Sequence, residues 1–126
     1  MRLAVDEFKT VLIYSGKFWN DTSIEIRTGE EYIFEAEGKW KDWMLEQDAD
    51  GYSNWYMDLY NNLKRSKKNK WFSLMGSLDK RDLFLIGKSK QILFKKGGLL
   101  YCFANDVCGF YWNNSGYVTL KITRVK

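Results

Sequence analysis

The densest run of oxygen-bearing side chains lies near the end of the 126-residue chain, at Asn105-Asp106-Val107-Cys108-Gly109-Phe110-Tyr111-Trp112-Asn113-Asn114-Ser115-Gly116. A loop of this composition can fold back so that Asp106 faces Asn113 and Asn114, with main-chain carbonyls turned inward. Calcium takes roughly six to eight oxygens from carboxylate, amide and carbonyl groups. This run holds most of such a shell and leaves positions for the hydroxyls of a sugar. Asn, Asp, Gly and Ser also build ordinary turns, so spacing alone leaves a cation loop and a structural turn both open.

What the chain lacks narrows the chemistry further. It contains no His, which removes His-based zinc sites, the commonest general base, and Ser-His-Asp or Cys-His nucleophilic machinery. A glycosidase needs two carboxylates held across a sugar. Asp48, Asp50 and Asp106 are the only suggestive set, and nothing in the sequence pairs them. The chain therefore reads as a binding protein, not an enzyme. Aromatic residues, 17% of the total, suit the apolar faces of sugars, and carboxylates accept hydrogen bonds from hydroxyls. Trp43, Asp48, Asp50, Tyr52, Asn54 and Trp55 form a second group that could meet a sugar in this way.

The elements that must carry these residues read as strands. Thr10–Ser15 is a β-branched and aromatic run closed by Gly16, and Thr22–Arg27 alternates with Ile24 and Ile26 on one face. Thr28-Gly29-Glu30 is a turn, and Glu31–Glu37 resumes with Tyr32, Phe34 and Ala36 together. Trp71–Leu78, Asp82–Ile86, Gln91–Lys95 and Leu99–Ala104 follow, punctuated by Gly76, Gly87 and Gly97-Gly98. Val118, Leu120 and Ile122 then alternate with Thr119, Lys121 and Thr123. Short strands at close spacing predict an all-β antiparallel sandwich or barrel, one domain over residues 1–126. The exception is the middle. Tyr52, Trp55, Tyr56, Leu59, Tyr60 and Leu63 fall at helical spacing, which predicts a short amphipathic helix within an insertion at about 52–70. Such an aromatic stripe can pack on the core or form a platform for a sugar ring.

Charge is unevenly placed. Lys64-Arg65-Ser66-Lys67-Lys68-Asn69-Lys70 holds five of the 20 basic residues, and elsewhere the two signs nearly balance. The stretch reads as a solvated, mobile loop tip and not as a nucleic-acid surface. Cys102 and Cys108 are too few for a disulfide framework, and Cys102 reads as a small buried hydrophobe. No apolar run is long enough for a membrane span. Asp6, Glu7 and Lys9 break any signal-peptide pattern, so a whole chain would be cytoplasmic or released without a signal peptide.

Taken together, Ala104-Asn105-Asp106-Val107, Gly109 and Asn113-Asn114-Ser115-Gly116, followed by Tyr117–Ile122, resemble the LecA-type calcium-dependent, galactose-specific bacterial lectins. Those proteins show N-D-V-x-G and N-N-S-G segments at this separation near their C-terminus. Thr22-Ser23-Ile24, Gly29, Ala36, Gly38 and Trp40 are also similar. So, more loosely, are Ser73–Leu78 and Leu85-Ile86-Gly87-Lys88-Ser89, which leaves Tyr52–Lys70 as the unmatched part. The resemblance implies a jelly-roll, galactose-binding-like β-sandwich with one calcium per chain and sugar bound to the metal. It implies side-chain ligands from Asp106, Asn113 and Asn114, a carbonyl from Phe110, and another from Trp43 or its neighbour Asp42. It also implies a glycan partner and a homo-oligomer, since multivalency makes weak sugar sites useful. Cys108 stands where the family has a proline, and Phe110 where it has a small hydroxylated residue. The family places a His and a Gln against galactose. The resemblance thus allows a galactose-like sugar as the glycan, but this chain has no His to set that specificity. The functional expectation is a calcium-dependent carbohydrate-binding module, with Asp50, Tyr52 and Trp55 beside the metal ligands. The alternative is a non-catalytic protein-interaction or structural sandwich that has lost metal and sugar.

Overall fold

A computed structural model of the protein describes residues 1–54 and 56–126. Trp55, expected at the sugar, lies outside the described residues. Among the described residues, ten strands form two antiparallel sheets: Phe8–Tyr14 (β1), Asn20–Ile26 (β2), Glu31–Glu37 (β3), Trp40–Asp42 (β4), Leu45–Gln47 (β5), Leu74–Leu78 (β6), Asp82–Leu85 (β7), Ser89–Leu93 (β8), Gly98–Ala104 (β9) and Asn114–Arg124 (β10). One sheet has the order β5-β4-β10-β3-β8, with β1 on the other edge of β10; the second runs β2-β9-β6-β7. The expected all-β sandwich is what the chain adopts.

Period-2 alternation explains the packing. Asn20, Thr22, Ile24 and Ile26 of β2 turn inward, as do Tyr32, Phe34 and Ala36 of β3 and Val118, Leu120 and Ile122 of β10. The hydrophobic ones among them make one core between the sheets with Ile13, Trp40, Leu74, Leu100 and Cys102. Cys102 is the buried hydrophobe its neighbours predict, and burial pushes its thiol up.

Three departures from the sequence reading matter for the site. First, β10 begins at Asn114, before its alternation does, because Asn114, Ser115 and Gly116 pair with Asp42, Lys41 and Trp40 of β4. Strands β4 and β5 have no alternating signal of their own and exist through this pairing and the β4–β5 hairpin. Second, the helix expected from Tyr52 to Leu63 is a 3-10 segment over Asp58–Leu63 in which Tyr60 leaves helical geometry, and none of its residues is buried. Tyr52 instead makes an isolated bridge with Trp71. The Met57 N–H donates to the Asn54 side-chain oxygen at 2.8 Å, and the Ser53 hydroxyl donates to Asp58 at 2.8 Å. Such local side-chain bonds offer the backbone an alternative to the α-helix.

Third, the basic stretch is only partly solvated. Lys64 and Ser66 are buried. The Lys64 ammonium donates to the Asn69 carbonyl at 2.6 Å and sits over the Trp71 ring. The Arg65 guanidinium lies 3.5 Å from the Phe103 ring centre and 3.7 Å from that of Phe18. Phe103 lies on the opposite side of β9 from Cys102 and is buried under Arg65 and Trp19. Lys67, Lys68 and Lys70 stay exposed. Among the described residues, no helix is long and apolar enough to cross a membrane.

Candidate functional site

The β9–β10 connection, residues 105–113, leaves one sheet and enters the other, so it closes one end of the sandwich. Asn105 anchors its start. Its amide nitrogen donates to the carbonyls of Ser66, Asn69 and Lys70, and its oxygen accepts from the Ser66 N–H at 2.9 Å. The motif's first residue thus holds the insertion and faces away from any ligand. From the insertion, the Arg65 N–H donates to the Asp106 carbonyl at 3.0 Å, and the Arg65 guanidinium donates to the Tyr111 hydroxyl at 2.9 Å. Tyr111 in turn donates to the Ala104 carbonyl. Both ends of the loop are therefore braced by one arginine.

Asp106 is buried at 4% exposure. One carboxylate oxygen accepts from the Val107 N–H at 2.7 Å and the other from the Asn114 amide at 3.1 Å. Burial, with added repulsion from Asp42, pushes its carboxyl up from 3.8 to about 6. Asn114 spends its second amide hydrogen on the Ser15 carbonyl at 3.0 Å. Its side-chain oxygen is then buried with no partner, and so is that of Asn113. Unpartnered buried acceptors cost roughly 1–3 kcal/mol each. Two beside a desolvated carboxylate make a local excess of negative potential.

The β4–β5 hairpin closes the site from the other side. The β4–β10 register sets Asp42 opposite Asn114, and the Trp43 N–H donates to the Asn113 carbonyl at 3.0 Å. Trp43 has φ +55, an unfavourable conformation for a bulky residue. Its side chain is solvent-exposed, whereas Trp40 is core and donates its ring N–H to the Phe72 carbonyl. Burial also pushes the Asp42 carboxyl up, while the hydroxyl of Tyr52, donating to it at 2.9 Å, pulls it back.

Asp42, Trp43, Tyr52, Asp106, Phe110 and Asn113 all line one cavity of about 610 Å³, with Asn114 directly behind. The structure thus brings together Asp106, Asn113, Asn114, Phe110, Trp43 and Tyr52. Asp50 is not among them: its carboxylate accepts from the Lys88 N–H at 2.8 Å and lines a separate cavity with Lys68 and Lys70. Trp112 is exposed and Tyr111 is packed under the loop. Sequence reading did not single out the Asp42 side chain, Arg65 or the bracing role of Asn105, because each acts through a contact made across the sandwich. Among the described residues, no three His, Cys, Asp or Glu side chains gather as a metal group. Any cation here would depend on amides and carbonyls as well as carboxylates.

Family models and characterised sequences give no match to this chain. Among solved structures it is similar to the EclA N-terminal domain, a PllA-like lectin, with a TM-score of 0.70 and 16% identity. That likeness covers 91% of this chain and 94% of the other. It extends over the whole sandwich and shows a shared fold.

Proposed function

We propose that the protein is a non-enzymatic carbohydrate-binding module that holds calcium at the β9–β10 loop. The observation that carries this reading is the pair of buried, unpartnered side-chain oxygens of Asn113 and Asn114 beside the desolvated carboxylate of Asp106. The groups beside the Asp106 carboxylate are the amide oxygens of Asn113 and Asn114, and hard oxygen donors suit calcium. Asp106, Asn113 and Asn114 would hold the ion by side chains, with the carbonyls of Phe110 and Trp43. When bound, calcium supplies a positive charge that draws in sugar hydroxyls as further oxygen ligands.

The chain's own groups do the rest. Asp106 and Asn113 face the cavity and hydrogen-bond hydroxyls, Tyr52 fixes the Asp42 carboxylate, and the Tyr52 and Trp43 rings offer apolar faces. Arg65 keeps the loop in place without touching a ligand. Similarity to a lectin domain across the sandwich supports a glycan as the partner. The chain has no His to set against galactose, and a glycan array identifies the sugar it takes.

Melting the protein in calcium and in chelator, followed by a glycan array under both conditions, tests the reading. Calcium should raise the melting temperature, and glycan signals should vanish in chelator and in Asp106→Asn. A glycan bound equally well in excess chelator would overturn the metal mechanism. A calcium shift with no glycan signal would overturn the carbohydrate role.

A further inference from the structure

An edge strand offers unpaired backbone groups to other chains, and folded proteins ordinarily guard it with shortness, bulges, lysines or a covering segment. The other edges of this sandwich are guarded in those ways. Strands β5 and β7 are three and four residues long. Strand β2 is irregular between Asp21 and Glu25, and the Glu25 N–H is taken by the Met1 carbonyl at 2.9 Å. Strand β8 carries an exposed Lys90, just after an exposed Lys88. Strand β1 is not guarded. It runs seven residues, FKTVLIY, with no Pro, no Gly and no shift of register. Its single lysine, Lys9, turns back so that its ammonium donates to the Thr22 carbonyl at 2.9 Å.

The hydrogen bonds at its two ends fix which residues face the open side. The Ser15 N–H donates to the Gly116 carbonyl, and the Glu7 carbonyl accepts from the Arg124 N–H. Odd-numbered residues therefore aim their backbone groups at β10. Alternation in an antiparallel ladder turns those of Phe8, Thr10, Leu12 and Tyr14 the other way. At Tyr14 the Asn20 side chain fills the place of a neighbouring strand: its oxygen accepts from the Tyr14 N–H at 2.9 Å, and its amide donates to the Tyr14 carbonyl at 3.0 Å. Among the described residues nothing fills that place at Phe8, Thr10 and Leu12.

This open row is complementary to itself. Two antiparallel copies of β1 about a two-fold axis at Thr10 set Thr10 opposite Thr10 and Phe8 opposite Leu12. Each of these residues then exchanges both backbone hydrogen bonds with its counterpart, and every open group finds a partner. Centring the pair on Val11 instead would set Phe8 against Tyr14, whose backbone groups Asn20 already holds. Phe8 is 56% exposed and Leu12 45% exposed, so the favoured register covers two apolar side chains that the single chain leaves in water. Facing threonines are also a favourable cross-strand pair. Asp6 and Glu7 of each copy come to the Tyr14 end of the other, where Lys17 lies over the Tyr14 ring.

We infer that β1 is a docking edge for a second copy of this chain, which joins the two six-stranded sheets into one continuous sheet. The Ser15 carbonyl accepts from the Asn114 amide, so each β9–β10 loop stands at the Tyr14 end of its own β1. The antiparallel pairing then holds the two Ser15 residues roughly 33 Å apart along the strands, with one loop towards each end of the dimer. The pairing does not depend on what those loops bind.

Sedimentation velocity of the full chain from about 1 to about 100 μM, with amide hydrogen exchange at both ends of that range, tests the inference. The mass should move from one chain towards two. The Phe8, Thr10 and Leu12 amides should gain protection with concentration, while the Val11 amide, turned to β10, is protected throughout. Thr10→Pro removes an N–H that β10 does not use, so the fold tolerates it, and it should weaken the dimer at least about 100-fold. Phe8→Glu and Leu12→Lys should each weaken it at least about tenfold, because each change acts twice in a symmetric pair. The double variant Phe8→Glu, Leu12→Lys sets opposite charges across the pair and should return to within about threefold of the wild type. This charge series decides the matter if Thr10→Pro does not fold. A mass of one chain at the highest concentration would overturn the inference. So would a dimer that both single charge variants leave intact, since it would then form through another surface. A double variant weaker than either single one would overturn it as well, because the two positions could not then face each other.

Discussion

Replacing Asp106 with asparagine should act in opposite directions with and without calcium. In chelator, the folded protein holds this carboxyl at about 6 instead of 3.8. Two pKa steps at about 1.4 kcal/mol each burden the ionised form by about 3 kcal/mol. The sign follows from proton binding. Between these two values the folded state binds more protons than the unfolded one, so stability falls as pH rises through the window and the penalty is complete above about 6. An amide escapes the penalty but has one acceptor oxygen where the carboxylate has two. It therefore loses one of the bonds from Val107 and Asn114, at a cost of about 1 kcal/mol.

The net expectation in chelator at about pH 7.5 is a gain of about 1–2 kcal/mol, read as a melting temperature higher by about 4–8 °C. At about pH 4.5 the wild-type carboxyl is largely protonated when folded, so the gain should vanish or reverse. Adding calcium inverts the comparison. The wild type should gain about 2.7 kcal/mol at a hundredfold excess over Kd, and the variant should gain little. Thermal melts at two pH values, each with chelator and with calcium, read all of this. Asp106→Asn that loses the same stability at both pH values in chelator would refute the argument, because the carboxylate could not then be held desolvated.

Three further expectations concern the frame around the site. Arg65→Met should cost about 2–3 kcal/mol in urea unfolding through lost stacking and hydrogen bonds to Phe18 and Tyr111; Arg65→Lys should not restore it, since an ammonium cannot stack as a plane. Gly51→Ala should cost about 3 kcal/mol or more by melting, because Gly51 has φ +75 and an added Cβ would lie 2.2 Å from the Trp71 carbonyl oxygen. Glu30→Gln should cost about 1–2 kcal/mol at neutral pH after solvent screening, and an acid titration should show a flattened loss. Hydrogen bonds from Arg2, Arg27 and Tyr32, with a nearby Arg124, hold the Glu30 carboxyl down from 4.5 to about 2. Its contribution is therefore present above about 4.5 and lost as pH falls towards about 2.

Much of the sandwich was legible because each strand declares its buried face locally. Glu31–Glu37 needs only its own alternation to place Tyr32, Phe34 and Ala36 inside, and the same holds for Val118, Leu120 and Ile122. Strands β4 and β5 were not legible, since three-residue segments are too short for a period and form through the β4–β10 register and the hairpin that follows. The helical spacing from Tyr52 to Leu63 misled because Tyr56, Tyr60 and Leu63 wall a cavity, whereas Tyr52 packs against the core. Periodicity cannot tell those two uses of an apolar side chain apart.

At the site the division is similar. Residue types alone set the expectation of oxygen chemistry: with no His, and with Asp106, Asn113 and Asn114 in one loop, hard-cation and hydroxyl binding was the reading that composition left. Only the tertiary structure decided which oxygens are free. The Asn114 amide is spent on Ser15 and Asp106, which leaves its oxygen unpartnered, and the β4–β10 register sets Asp42 opposite it. It also decided that Arg65, read from its neighbours as a solvated charge, is enclosed by aromatic rings and braces the loop. The physical reason is that composition lists donors and acceptors, whereas pairing and desolvation depend on which segments the two sheets bring to the same end.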